Sequence, residues 1–227
     1  MGVKYLLFIL IFISIQVDVF SQNLRKGNNL YSPSAGERVA SPLTITSIDS
    51  SQLVSTITNT LFGGGVSISN VTYKGAIAAI ANFEDSTNSF GIKKGLILTT
   101  GIAALAKGPN NMPDAGSNNN ITVSDPDIAL IDASTQYDLA VIEFDFSTSQ
   151  DSVCFFKFVF GSEEYPEFAN SVTNDLFAFF ISGPGITGNK NIAFIPGTAV
   201  PVSINNVNKN TSSSYFVTNP ASSITLQ

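Results

Sequence analysis

Residues 153–185 form the stretch that decides the fold of this chain. Two aromatic-rich runs of strand length, VCFFKFVF at 153–160 and LFAFFIS at 176–182, flank the acidic segment GSEEYPEF at 161–168. Aromatic and β-branched residues favour a packed, pleated surface, so both runs are predicted to be strands that are buried on both faces or nearly so. The acidic segment must stay hydrated, or find donors or a cation for its charges. This combination indicates a binding architecture rather than a catalytic one.

The rest of the chain shows the same alternation of strands and turns. Short apolar runs separated by Gly, Pro, Asn and Ser clusters occur at 66–73, 76–83, 95–100, 139–146, 191–196 and 200–207. The best helical spacing is Leu53, Ile57 and Leu61, which follows a capping Asp49 and ends at three glycines. We therefore predict an all-β fold, a two-sheet β-sandwich of jelly-roll or lectin-like kind, with one short helix at its edge near 50–62.

The first 21 residues have the pattern of an export signal. Lys4 precedes the apolar run YLLFILIFISI at 5–15, and Val19 and Ser21 supply slim or small residues for a cleavage site. The run is shorter than the roughly 20 apolar residues that a membrane-spanning helix needs. We predict a signal peptide at 1–21, an extended arm at 22–48 and one β domain at 49–227. The mature protein is expected to be secreted or held at the cell surface, with no membrane span after signal cleavage.

Composition excludes several classes of function. The chain has no His and a single Cys, which removes the Ser-His-Asp and Cys-His triads, disfavours a zinc site and rules out an intramolecular disulfide. Its formal net charge of −6 argues against nucleic acid as a partner, because phosphate recognition requires clustered Lys and Arg. The lone Cys154 lies in the first aromatic run, where a free thiol behaves as a small apolar residue.

Hard oxygen ligands are densest in and just after the acidic segment. The candidate metal ligands are Glu163, Glu164 and Asp175, with Glu167 and Asn174 beside them. Because this loop joins two strands expected to be neighbours, the three carboxylates are predicted to converge on one rim of the sandwich. Calcium, which takes six to eight oxygen ligands, would relieve their mutual repulsion and is the cofactor that the sequence allows. A solvated acidic loop is the alternative, and it stays open.

A second acidic group precedes the alternating run at 139–146. Turn-forming aspartates are the first interpretation of this group, and another cation site is the second. Its members are Asp125, Asp127, Asp132 and Asp138.

The phenylalanines of the two aromatic runs are predicted to be core, because several exposed aromatic rings are costly in a soluble exported protein. They are Phe155, Phe156, Phe158, Phe160, Phe177, Phe179 and Phe180. Tyr165 and Phe168 differ because they lie in the acidic loop itself. These two residues are the candidate ligand-binding residues, since they are placed to close a binding face.

A carbohydrate-active hydrolase is the alternative from another class. Glycoside hydrolysis uses two carboxylates, and Glu143 or Asp145 with Glu163 would be the pair. Against it, the chain has no Trp, the residue most useful for stacking on sugar rings. A third interpretation is a structural spacer within a large surface protein.

A series of short motifs occurs in one order along most of the chain. They are NVTYKG at 70–75, GLILTTG at 95–101, GPN at 108–110, EFDF at 143–146, FVFGSEEY at 158–165, ND at 174–175, SGPG at 182–185, NIA at 191–193, IPGT at 195–198 and VSINNVN at 202–208. Together they resemble the choice-of-anchor L domain, which is found in exported and surface proteins of bacteria, notably the Bacteroidetes group.

The resemblance implies an ectodomain joined to varied surface-anchoring signals, with an adhesive or ligand-binding role and no catalysis. Family members typically continue into a further strand region, so the chain is expected to be truncated at its C-terminus. We therefore predict an exported, surface-associated binding or adhesion domain that is not an enzyme. Its partner is expected to be an extracellular glycan or protein.

Overall fold

A computed structural model describes the chain at 9–18, 41–61, 66–89, 91–111, 117, 119, 121, 124–134, 137–148, 153–166, 168–171 and 174–220. The predicted cleavage site after Ser21, most of the predicted arm, Glu167 and the side chains of Cys154 and Phe155 lie outside the described residues.

Strands predominate in the described part of the chain. They are β1 Ile9–Asp18, β2 Thr44–Ser47, β3 Val66–Lys74, β4 Ile80–Glu84, β5 Lys94–Leu98, β6 Val141–Thr148, β7 Val153–Ser162, β8 Leu176–Phe177, β9 Phe180–Gly183, β10 Ile186–Asn191 and β11 Val202–Ser203. Two α-helices accompany them, α1 Leu53–Leu61 and α2 Pro126–Ile131.

One five-stranded antiparallel sheet, in the order β2-β4-β5-β1-β7, is the base of the fold. Three antiparallel two-stranded ribbons, β3–β6, β9–β10 and β8–β11, complete the set of described strands. Buried apolar residues alternate along β5, because successive side chains of a strand point to opposite faces. Leu96 and Leu98 belong to one apolar cluster, and Ile97 belongs to the other.

The larger cluster joins the five-stranded sheet to α1 and to residues of the ribbons. Its buried members include Ile57 and Leu61 of α1, Phe177 of β8 and Val202 of β11. The smaller cluster contains Phe83, Ile97 and Ala103, and so covers the opposite face of the sheet. Burial on both faces is what the apolar composition of the central strands predicts.

The aromatic residues of β7 and of the segment after it pack on one another. Phe156 stacks on Phe179 with ring centroids 4.2 Å apart, and Phe158 packs on Phe177 at 4.6 Å. Such ring pairs contribute about 0.5–1.5 kcal/mol beyond the area that they bury. The predicted core position is confirmed for Phe177, which is buried, and Phe156, Phe158, Phe160 and Phe179 are partly buried and pack against the same cluster.

The helix predicted near 50–62 is present as a short 3-10 turn followed by α1. Asp49 accepts a hydrogen bond from the backbone N–H of Ser51 (2.8 Å), as expected for a residue that caps a helical start. Helix α2 was not predicted. It begins where Asp125 accepts hydrogen bonds from the N–H groups of Asp127 (2.9 Å) and Ile128 (3.2 Å), with Pro126 in its first turn.

The prediction of an all-β, sandwich-like fold with a short helix is confirmed. The segment predicted to be an export signal contains β1, which is a strand of the five-stranded sheet. It pairs with β7 along its whole length and with β5 at Ile11, Phe12 and Ile13. The limits of the signal peptide, the arm and the mature domain stay predictions.

Candidate functional site

The acidic loop connects β7 to β8 and lies against the chain that follows β11. The N–H of Ile204 donates to the backbone oxygen of Asp175 (3.0 Å), which extends the β8–β11 pairing by one step. The hydroxyl of Tyr165 donates to the backbone oxygen of Val207. Two segments are therefore held side by side. We call the described residues of 163–175 and 203–217 the loop face.

Two carboxyl groups of the loop face are buried. Asp175 is 3% exposed and Glu164 is 5% exposed. Burial, and then the nearby charge of Glu164, raises the pKa of Asp175 well above its ordinary value. The Oδ2 atom of Asp175 has no hydrogen-bond partner in the described part of the chain. The structure thus brings together Glu164 and Asp175, two of the three predicted metal ligands.

Glu163 has a different environment from its neighbour. It is half-buried, and burial raises the pKa of its carboxyl. Among the residues that the structure describes, no group of three or more His, Cys, Asp or Glu side chains is arranged to hold a metal ion. The assignment of Glu163 as a third ligand stays a prediction.

Asparagine side chains tie the two segments of the loop face together. The Oδ1 atom of Asn174 accepts from the N–H of Asn205 (3.2 Å), and the Oδ1 atom of Asn205 accepts from the N–H of Asn170 (2.6 Å). The Nδ2 group of Asn205 also donates to the backbone oxygen of Ser171 (3.3 Å). Because these bonds fix backbone groups on both sides, they make the loop face one connected unit.

Asn208 closes the turn at the end of this network and is almost fully buried. Its Nδ2 group donates to the backbone oxygens of Ile204 (3.0 Å) and Asn205 (3.1 Å). Its Oδ1 atom accepts from the N–H groups of Asn210 and Thr211, each at 2.9 Å. Sequence reasoning did not single out this residue, although the asparagine-rich run at 205–210 was its signal.

The two aromatic residues of the acidic loop have different surroundings. The ring of Tyr165 packs edge-on against Phe216 at 5.0 Å, and burial raises the pKa of its hydroxyl. Phe168 is 42% exposed, while its N–H donates to the backbone oxygen of Glu164 (2.9 Å). Tyr215 and Val217 are further exposed apolar residues of the loop face. Tyr165 therefore buttresses the loop, and Phe168 is the aromatic residue that it presents.

Each member of the second acidic group accepts hydrogen bonds from other groups of the protein. Asp125 caps α2, and the Oδ1 atom of Asp138 accepts from the N–H of Ile121 (3.1 Å). Asp132 accepts from the hydroxyl of Ser134 (2.6 Å) and from the Nδ2 group of Asn174 (2.9 Å). These bonds lower the pKa of Asp132. The turn-forming role predicted for these aspartates fits Asp132, whereas Asp125 caps a helix that was not predicted.

The carboxylates considered for glycoside hydrolysis project from the exposed face of β6. Glu143 forms an ion pair with Lys74 at 2.8 Å, and both side chains are more than half exposed. Asp145 accepts from the Nδ2 group of Asn70 at 2.6 Å. Both carboxylates thus have partners across the β3–β6 ribbon.

The family model of the choice-of-anchor L domain matches residues 41–225. The chain belongs to this family. Domains of the family occur in exported surface proteins, and the family is not a known enzyme family. No curated protein and no solved structure shows a significant match to the chain. Among the described residues, no helix has the length and apolar character needed to cross a bilayer.

Proposed function

We propose that this choice-of-anchor L domain is an exported binding or adhesion module of the cell surface, without catalytic activity. Family membership supports the surface location. The feature that carries the binding role is the loop face, which presents Phe168 on a backbone fixed by asparagine side chains. Binding residues are often found on loops that a rigid scaffold positions.

The construction of the loop face favours recognition of a partner. Exposed apolar residues that stand on a fixed backbone lose little conformational freedom on binding, so less of the interaction energy is spent on ordering. Phe168, Tyr215 and Val217 supply apolar contact area. The surrounding amide and hydroxyl groups supply hydrogen bonds to an extracellular glycan or protein. A net charge of −6 disfavours polyanionic partners.

The environments of the carboxylates support a non-catalytic role. An enzyme that cleaves glycosides places an acid and a second carboxylate on opposite sides of the bond that it breaks. Glu143 instead pairs with Lys74, and Asp145 bonds Asn70, on the outer face of a ribbon. Burial does raise the pKa of Glu163, which is a property that a general acid requires. For this reason the test of function includes an assay for turnover.

Export by residues 1–21 is part of the proposal, with a mature chain that begins at or near Gln22. Cleavage after Ser21 would remove β1 and leave an edge on β5 and another on β7. A sheet edge exposes unpaired N–H and C=O groups and pairs readily with another strand. Export followed by cleavage therefore predicts a measurable difference between the full chain and the cleaved chain.

A glycan array combined with a panel of chromogenic glycosides tests the proposed function. We expect binding without turnover, and we expect Phe168→Ala to weaken binding at least tenfold, because an aromatic anchor of an interface is worth about 2 kcal/mol or more. Val54→Ala is the matched control, since Val54 is 49% exposed on α1, outside the loop face. Turnover that Glu163→Gln abolishes in a folded protein would establish the hydrolase instead. If the protein shows no binding and no turnover, the result indicates a structural spacer.

A further inference from the structure

We infer that Glu164 and Asp175 form a calcium-binding site that joins the end of β7 to the start of β8. The proposal concerns a structural ion beneath the loop face. It does not depend on whether the loop face binds a glycan or a protein.

The position of the two carboxyl groups is the first support for this site. Glu164 is the second residue after β7, where its N–H donates to the Oγ atom of Ser162 (3.1 Å). Asp175 immediately precedes β8 and is held there by Ile204, whose N–H donates to the backbone oxygen of Asp175. Two separate backbone anchors thus place two side chains in one buried space.

The second support is the burial of the Asp175 side chain and its lack of a hydrogen-bond partner at Oδ2 within the described part of the chain. Its side chain is 3% exposed, and its Oδ2 atom is buried with no hydrogen-bond partner among the described residues. No Lys or Arg side chain in the described part of the chain forms an ion pair with it. Burying an ionised carboxylate without compensation costs several kcal/mol, and a second carboxylate nearby raises that cost. The position therefore requires either a cation or a retained proton.

Calcium matches this arrangement better than other common ions. Zinc prefers nitrogen and sulfur ligands, and the chain has no His. Magnesium keeps several waters in a strict octahedron, which a space with two buried carboxylates does not favour. Calcium accepts bidentate carboxylates and backbone carbonyls in flexible geometry, with six to eight oxygens in total. Two carboxylates supply up to four of these oxygens, which leaves two or more for backbone carbonyl groups.

The test is a calcium titration of the full chain, first stripped with a chelator, that follows the melting temperature. A ligand at about 100 times its Kd stabilises the native state enough to raise the melting temperature of a protein of this size by roughly 5–10 °C. We expect this rise with calcium and little or none with magnesium at equal concentration. A calorimetric titration of the same protein should give one calcium per chain.

Three substitutions separate a site at this position from general ionic effects. Asp175→Asn and Glu164→Gln keep the shape of each side chain, and we expect each to abolish the calcium-dependent rise. Glu143→Gln is the control, because it removes one carboxylate from the exposed face of β6, and we expect it to keep the rise. If one of the two variants does not fold, the other decides, because each substitution alone should abolish the rise. The inference is overturned if calcium does not raise the melting temperature of the native protein or if Asp175→Asn keeps that rise. It is also overturned if the melting temperature rises only when the pH is lowered, because a retained proton then replaces the cation.

Discussion

Replacement of Asp85 by Ala should strongly destabilise the domain. Asp85 lies just after β4, is 1% exposed, and accepts four hydrogen bonds. The backbone N–H and hydroxyl of Thr87 donate to Oδ1 at 3.0 and 2.7 Å, and those of Ser89 donate to Oδ2 at 2.5 and 2.8 Å. This one carboxylate therefore organises the turn that leads into β5.

The expected cost follows from the groups that lose their acceptor. Each of the two backbone N–H groups left without a partner costs about 1–3 kcal/mol, whereas the two hydroxyl groups can rotate toward water. The total is about 3 kcal/mol, which corresponds to a drop of roughly 6–12 °C in melting temperature for a chain of this size. Asp49→Ala is the comparison, because Asp49 caps an exposed helical start with one backbone bond and should cost only about 1 kcal/mol.

The pH dependence of stability gives an independent check on Asp85. Burial alone would raise its pKa, but the hydrogen bonds from Thr87 and Ser89 outweigh burial and hold the pKa below the ordinary value. A group with a lowered pKa stabilises the native state above its unfolded pKa of about 3.9, and this contribution is lost as the pH falls through the folded pKa. Chemical denaturation of the native protein and of Asp85→Ala, at pH 7 and at pH 3, measures the loss of stability caused by the substitution and the loss caused by acid. Equal stability of Asp85→Ala and Asp49→Ala at pH 7 would refute the reasoning.

Three further predictions concern the packing of the domain. Asn208→Ala removes the four hydrogen bonds of a buried side chain and should lower the free energy of unfolding by about 2–4 kcal/mol in denaturant titration, because the backbone groups bonded to this side chain lose their partner. Lys74→Ala breaks an exposed ion pair and should change that free energy by less than about 1 kcal/mol, so a larger loss would mean that the β3–β6 ribbon depends on it. Removal of residues 1–21 takes away β1 and should lower the melting temperature and raise amide exchange in β5 and β7, and unchanged exchange there would contradict the pairing.

The sequence predicts the parts of this fold that depend on local pattern. The aromatic run at 153–160 and the capped segment that begins at Asp49 each have a period and a boundary that can be read directly, and both form the predicted elements. Helix α2 was missed because Asp125-Pro126 is equally typical of a turn. Strand β1 was missed because an apolar run near the N-terminus has the same composition in an export signal and in a buried strand.

The candidate site shows where sequence reasoning ends. The acidic loop was recognised, but the chain gives no sign that Glu164 is buried while Glu163 is half-exposed. Both residues lie in the turn that follows β7, where the packing of that turn on the rest of the domain decides which side chain points inward. The partners of Asn174 and Asn205 are likewise set by tertiary structure, because 31 positions separate the two residues.

The most direct test of the proposed function is protease accessibility of the full-length protein on intact cells that produce it. A chain at the cell surface should be cut by an added protease while a cytoplasmic marker stays intact, and its mature N-terminus should lie at or near Gln22. A chain that stays protected until the cells are lysed, with residues 1–21 still attached, would contradict the account.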